Sequence, residues 1–353
     1  MMSIRVGLIG YGLAGSVFHA PLIGAVEGLE LKAVVTSSNA AKAAYDFPRA
    51  KIMADVQSLF GSSEVDCIVV SSPNATHYDY AKQAILAGKH VVVEKPFTVT
   101  SEEAEELVML AERQGVILTV YQNRRWDNDF LTVRSLLDTG MLGKLSVYES
   151  HYDRYRPQVQ KRWKEEQLPG SGILYDLGSH LIDQTLVLFG MPETVSADLR
   201  LERKGTEIVD YYHLVLGYSN GMRAILHSGS LVRQPGPRFL LHGDKGSYMK
   251  FGLDPQEEQL KKGLRPGDIG WAEEPAALHG QLTADAGDLS VRSVIETKRG
   301  SYETFYVKLA DAIGRGGEVP VPARDARNTI RIIEAAVQSD REQRRITFAE
   351  NDR

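Results

Sequence analysis

The hydrophobic pattern of the chain changes once. From residue 4 to about residue 120, short β-branched runs alternate with stretches in which apolar residues recur at helical spacing, the sequence form of a parallel sheet wrapped by helices. Five runs predict strands: "IRVGLIG", "LELKAVVTS", "VDCIVVSS", "KHVVVEK" and "GVILTVYQ". Between the last two, Thr100 and Glu103 have the spacing of a capping box and Gly115 stands where a helix would stop. That segment predicts a helix whose early acids load the positive end of its dipole.

After about residue 125 the apolar runs lengthen and alternate with period two. "KLSVYESHYDRY", "TVSADLRLER", "VDYYHLVLGYSNGMRAILHSGSLV" and "RFLLHGDKGSYMKF" predict long strands of an antiparallel sheet, with turns at Asn220-Gly221 and Asp244-Lys245-Gly246. One strong helical pattern interrupts them, from Gly172 to about Phe189, ended by Gly190 and Pro192. Two later ones, around "SYETFYVKLADAI" and "DARNTIRIIEAAVQSDREQRR", can pack back on the first domain or on the sheet. The mixture of Pro, Gly and charge from Pro255 to Gly287 predicts an irregular loop.

Composition narrows the function. At 353 residues the chain exceeds what one core usually holds, and its 43% hydrophobic and 25% charged residues are those of an ordinary globular protein. A net charge of -5 argues against nucleic acid as a partner. The single cysteine, Cys67, lies in an apolar run, so it predicts a core thiol and excludes an internal disulfide. The apolar N-terminus is broken early by glycine and has no cationic leader, so a cytoplasmic enzyme without membrane partners is expected.

Chemistry enters at "GLIGYGLAGSVF", where Gly10, Gly12 and Gly15 follow a predicted strand and open a helix, with Tyr11, Leu13 and Ala14 between them. Such a loop lets backbone approach a pyrophosphate at a helix N-terminus. An NAD-selective site usually has an acid at the end of the second strand, but here stand Thr36, Ser37, Ser38 and Asn39. Hydroxyls can donate to a 2′-phosphate that a carboxylate would repel, so NADP is favoured over NAD, with Lys42 the only cation close in sequence. The third strand ends in Ser71, Ser72, Pro73 and Asn74, at an edge where open α/β sheets bind ligands. His77 either faces the cofactor or lies on a helix surface.

The expected fold is therefore α/β. A Rossmann dinucleotide-binding domain would span 1–123, and an α+β domain with a large, mainly antiparallel open sheet 124–353. Two further sites stand out. "VVVEKPF" ends a strand on Glu94, Lys95 and Pro96, and "GSGILYDLGSHLIDQ" spaces Asp176, His180 and Asp183 along one helical face. Metal ligands, a solvated face and an acid/base pair are the three readings of that face. A metal would need further ligands, and only scattered candidates such as His151 are visible, so no metal is expected.

The glycine motif, the Glu94-Lys95-Pro96 triplet and Asp176-x-x-x-His180 together resemble the signature of the glucose-fructose oxidoreductase/inositol dehydrogenase/rhizopine catabolism (Gfo/Idh/MocA) family, over nearly the whole chain. The stretches "GLIGYGLAGSVFHAPLI" and "SGILYDLGSHLIDQ" are most similar to NADP-dependent scyllo-inositol dehydrogenase-type members. The resemblance implies oxidation of pyranoses or cyclic polyols, or reduction of their ketones. It implies Lys95 beside the nicotinamide and the reacting oxygen, with Asp176 and His180 facing it. An imidazole can take and return the hydroxyl proton, a lysine can stabilise alkoxide charge, and Asp176 can hold a substrate hydroxyl or support the charged ring. Glu94 can contact the cofactor or only neutralise the lysine, and the Lys95-Pro96 bond is a candidate cis peptide. Looser matches place Arg162, Trp163, Asn123, Tyr121 and Tyr302 near the cofactor. "ESHYDRYRPQ" suits sugar binding or an interface.

Two other functions compete. A glycoside hydrolase of the same architecture would cycle a retained NAD, which the missing acid after the second strand disfavours. A non-catalytic nucleotide-binding sensor would have no need of Lys95, Asp176 and His180 together. A wide sheet uncovered on one side further predicts a homo-oligomer, dimer or tetramer, formed through the C-terminal sheet.

Overall fold

Val91, Val92 and Val93 are fully buried, as are Cys67 to Val70, because strands of a parallel sheet are covered on both faces. The structure, a computed structural model, describes residues 3–160 and 165–349. It divides into two compact units, the first made of Met1–Trp126, Pro255–Ala272 and Ser301–Arg327, the second of Asp127–Asp254, Glu273–Gly300 and Asn328–Arg353. Among the described residues no helix is long and apolar enough to cross a membrane.

The first unit runs β1 (Ile4–Ile9), α1 (Ala20–Ala25), β2 (Leu29–Val35), α2 (Ala40–Asp46), β3 (Lys51–Met53), α3 (Val56–Phe60), β4 (Cys67–Val70), α4 (His77–Leu86), β5 (His90–Val93), α5 (Ser101–Gln114) and β6 (Leu118–Val120). The described strands form a parallel sheet in the order β3-β2-β1-β4-β5-β6. The order reverses between β1 and β4, which opens a crevice at their C-terminal ends. All five predicted strands are present. The additional β3 has three residues, too few to show a period in sequence. The predicted capping box closes α5, with the Thr100 hydroxyl accepting from the Glu103 N–H, and Gly115 ends the helix at φ 65°.

The second unit begins with α6 (Asn128–Asp138) and β7 (Leu145–His151). A π-helical turn, Leu174–Gly178, leads into α7 (Ser179–Phe189). Then come β8 (Thr194–Arg200), β9 (Tyr211–Gly217), β10 (Arg223–Gly229), β11 (Phe239–Gly243) and β12 (Gly246–Lys250). The chain supplies α8 (Gln256–Lys261) to the first unit, returns for β13 (Gly280–Ala286) and β14 (Leu289–Ile295), and gives α9 (Glu303–Arg315) to the first. Helix α10 (Ala323–Glu342) has residues in both units, and β15 (Ile346–Thr347) closes the order β14-β13-β12-β11-β7-β10-β9-β8-β15.

Every pairing in that sheet is antiparallel except β7 with β10. Tyr148, Tyr212, Leu214, Leu216 and Leu226 point to its buried face, and their sequence neighbours stay half-exposed on the other. Asn220-Gly221 makes the predicted turn, with Gly221 at φ 86° and the Asn220 side chain accepting from Met222 N–H.

Pro255 to Gly287 is not the irregular loop its composition suggested, since it holds α8 and β13. Strand β13 buries Gly280, Leu282 and Ala284 in alternation, but only one of these is a large apolar residue and β14 is almost wholly exposed, so the hairpin shows little apolar period in sequence. Helix α8 is anchored by a buried ion pair between Arg124 and Glu257, 2.7 Å apart. Burial alone would raise the Glu257 carboxyl, but Arg124 and Lys261 hold it down at about 2. A carboxyl held below its ordinary 4.5 stabilises the fold above that pH, and the stabilisation is lost as pH falls towards 2. Glu257→Gln is expected to cost on the order of 2–3 kcal/mol at pH 7 and little at pH 2, measured by urea unfolding across that range. An equal cost at both ends would refute the assignment.

Candidate active site

The three glycines after β1 do two different jobs. Gly10 has φ 96°, and a Cβ there would stand 2.4 Å from the Ser71 carbonyl oxygen, so only glycine lets the ends of β1 and β4 approach. A Cβ at Gly15 would fall 2.1 Å from the Gly10 carbonyl oxygen, which fixes the turn into the next helix. Gly12 differs, because a Cβ there would meet nothing within 4 Å. That open backbone is what a pyrophosphate needs. The hydroxyl of Ser71 is buried at the β4 end without a hydrogen-bond partner. Both observations fit a dinucleotide at this edge.

Tyr11 holds the loop in place. Its hydroxyl donates to Asp46 Oδ2 at 2.8 Å and its carbonyl accepts from Asn39 Nδ2 at 2.9 Å. Burial and the neighbouring carboxylate raise its phenol. Asp46 is also paired with Lys42, and these two bonds hold its carboxyl low against the effect of burial. Arg265 adds its charge to the same corner from far along the chain. At the end of β2, Thr36 is buried and accepts from Asn39 N–H, while Ser37 and Ser38 are exposed. Leu13 is largely exposed on the glycine loop and Ala14 starts a π-helical turn, Ala14–His19.

The end of β5 is tied to both neighbouring loops. Glu94 is buried and accepts from His19 Nε2 at 3.0 Å and from Lys95 N–H at 2.8 Å. Burial works to raise its carboxyl, but the His19 ring and the Lys95 charge keep it below the usual value. The other nitrogen of His19 meets the Tyr306 hydroxyl at 2.5 Å, and its ring packs on Tyr121. Lys95-Pro96 is a cis peptide. His77 is buried, with Nδ1 2.9 Å from the Pro96 carbonyl and Nε2 3.0 Å from the Ser72 carbonyl. It is therefore not a surface histidine but a link between two strand-end turns. The second of those turns is closed by Ser72 and Thr76 hydroxyls and by the Pro73 carbonyl, with Asn74 opening a short 3-10 turn.

In the second unit, Asp176 lies in the π-helical turn, half-exposed, with Oδ2 3.6 Å from Arg154 Nη1. His180 and Asp183 are buried in α7. The polar stripe read from the sequence therefore enters the core, where Gln184 accepts from Arg238 at 2.9 Å. Sequence reading missed Arg154, which gives Asp176 a cationic partner.

The remaining candidates vary. Asn123 is buried at the start of a 3-10 turn. Tyr302 is fully buried in the first unit, near Arg124 and Phe18. Tyr121 is buried among His19, Phe305 and Tyr306, its hydroxyl without a hydrogen-bond partner. Arg162 and Trp163 lie outside the described residues. Cys67 is a buried thiol pushed up to about 12 by burial, as expected of a core cysteine. Sequence reading also missed His19, Tyr306, Asp46 and Arg265. Only His19, shortly after the glycine motif, lay within reach of a local signal.

Residues 4–122 match the family model described as "Oxidoreductase family, NAD-binding Rossmann fold", and residues 134–348 the one described as "Oxidoreductase family, C-terminal alpha/beta domain". The scyllo-inositol 2-dehydrogenase (NADP(+)) IolW of Bacillus subtilis is 44% identical over 98% of this chain and 96% of its own. The structure of yvaA from Bacillus subtilis superposes with a TM-score of 0.96 at 43% identity, covering 99% of both chains. That of YPO2259 from Yersinia pestis gives 0.93 at 43%, covering 99% of this chain and 98% of the other. An NAD-binding Rossmann domain is joined here to the family's C-terminal domain, and the chain belongs to the Gfo/Idh/MocA family of oxidoreductases, dehydrogenases that act on CH–OH groups.

Proposed function

We propose that the protein is an NADP-dependent dehydrogenase of a cyclic polyol, of the scyllo-inositol type. The observation that carries the cofactor choice is the end of β2, where exposed Ser37 and Ser38 stand in place of an acid and Asp46 is occupied by Tyr11 and Lys42. Lys42 and Arg265 supply positive charge for a 2′-phosphate. The substrate class rests on the likeness to a relative named as a scyllo-inositol 2-dehydrogenase.

The glycine loop, the Ser72-Pro73-Asn74 turn and Glu94 would hold the dinucleotide. When bound, the nicotinamide supplies or accepts the hydride. The chain's own groups manage charge and protons. Lys95 donates a hydrogen bond to the reacting oxygen and stabilises its negative charge. His180 takes the hydroxyl proton in oxidation and returns it in reduction, as an imidazole general base and acid can. Asp176, charge-paired with Arg154, binds a neighbouring substrate hydroxyl. The buried His19–Glu94 pair keeps a carboxylate next to Lys95, and the Lys95 charge in turn helps hold that carboxyl low.

Two measurements test this reading. In fluorescence titration NADPH should bind about tenfold or more tightly than NADH, and Ser37→Asp should reverse the order by placing a carboxylate against the 2′-phosphate. Tighter NADH binding by the unaltered protein would refute the cofactor choice. On a panel of inositols and pyranoses followed by nicotinamide absorbance, Lys95→Ala and His180→Ala should each lower kcat/KM by about 10²–10⁴. If both variants stay within a few-fold of the unaltered enzyme, neither residue is catalytic.

A further inference from the structure

The half-exposed face of the second unit's sheet carries a row of imidazoles. His151 on β7 is registered with His227 on the parallel strand β10, and His227 with His213 on the antiparallel strand β9. The rings of His151 and His227 are 5.2 Å apart, those of His213 and His227 6.1 Å. Alternation along the chain adds Glu149 and Asp153 to the His151 side. Asp153 presents Oδ1 2.8 Å from His227 Nδ1 and Oδ2 3.7 Å from His151 Nδ1. One donor atom from each of His151, Asp153 and His227 lies within 4.8 Å of the other two.

Two details distinguish this cluster from a surface ion pair. His227 Nδ1 is buried and makes no well-directed hydrogen bond, although Asp153 Oδ1 is so near. The two atoms are closer than the roughly 3.3 Å between donors of a tetrahedral zinc ion, so ligation would part them by about half an ångström. On the far side of the other ring, His151 Nε2 lies 3.5 Å from Glu149 Oε2. Metal-bound imidazoles commonly give their second nitrogen to a carboxylate in this way, which fixes ring and tautomer. The Asp153 carboxylate is only 5% exposed and is further held by the Gly229 N–H at 3.1 Å.

We propose that His151, Asp153 and His227 form a binding site for one divalent transition-metal ion of the zinc class. Two imidazole nitrogens and one carboxylate suit zinc, cobalt or nickel, whereas magnesium and calcium take oxygen ligands. The ion would clip the end of β7 to β10 at their last registered pair, His227 with His151. The expectation of no metal came from ligands scattered in sequence, which the sheet register brings together. None of the three residues has a part in the hydride chemistry proposed above, so the two readings can fail separately.

The test uses full-length protein stripped with EDTA, exchanged into chelator-free buffer and titrated calorimetrically with zinc chloride, alone and in excess magnesium chloride. One zinc per chain is expected, undisturbed by magnesium. His227→Ala and Asp153→Asn should each weaken binding by about tenfold or more, and His242→Ala, on the same sheet beside Ser247, should leave it unchanged. Melting in EDTA checks that each variant folds, and His151→Gln replaces any that does not, under the same criterion. Absent saturable binding, half an equivalent per chain, unchanged affinity in the ligand variants, or an equal loss in His242→Ala would each overturn the site.

Discussion

The first unit's site depends on the want of a side chain at Gly10. Because nothing stands between that residue and the Ser71 carbonyl oxygen, the ends of β1 and β4 close together. From there a circuit of contacts runs round the sheet edge. Ser71 leads to Ser72, whose carbonyl meets His77, and the other nitrogen of His77 meets the Pro96 carbonyl. Next along the β5 turn, Glu94 accepts from His19, which lies in the helix that the glycine loop starts. The His77–Pro96 and His19–Glu94 links are buried and polar, so breaking either leaves a desolvated group unpaired. The strand-end turns of β1, β4 and β5, with the catalytic candidate Lys95 on the last, are thus tied together by one chain of contacts rather than held as separate loops.

How much of this was legible in sequence follows from the range of each interaction. The glycine motif, the capping box and the strand-end lysine are local, and each carries its own signature. The partners that give those residues their setting are not local. Arg265 reaches the Tyr11–Asp46 corner from a segment whose composition suggested a loop, and Tyr306 reaches His19 from α9. Glu94 shows the difference, since its neighbours in sequence left its role open and only the fold supplies His19. The hairpin of β13 and β14 escaped notice for another reason. Strand β14 has almost no buried residue and β13 buries only Gly280, Leu282 and Ala284, so the apolar alternation by which strands are recognised is weak.

Buried and half-exposed histidines in the second unit show how setting divides one residue type into different roles. His180 sits inside α7, close to a polar core in which Arg238 is bonded to Gln184 and lies 3.4 Å from Asp129. His151, His213 and His227 stand on the open face, where burial and then the neighbouring rings of His227 and His151 lower the basicity of His213. A neutral imidazole is the form that binds metal, and each of the three rings keeps a nitrogen for that role only in its neutral form.

The segment from Glu149 to Arg154 joins these two faces. Tyr152 N–H bonds the His227 carbonyl and Arg154 N–H the Gly229 carbonyl, so extended pairing continues past β7. Period-two alternation then sends Ser150 and Tyr152 to the covered side and Glu149 and His151 to the other, and the same alternation parts Arg154 from Asp153. On the covered side Arg154 meets Asp176, and on the open side Asp153 meets His227. A slip of one residue would exchange the two sets at once. The register of β7 against β10 is therefore what keeps a cation beside the candidate catalytic carboxylate and, on the opposite face, three metal donors in reach of one another.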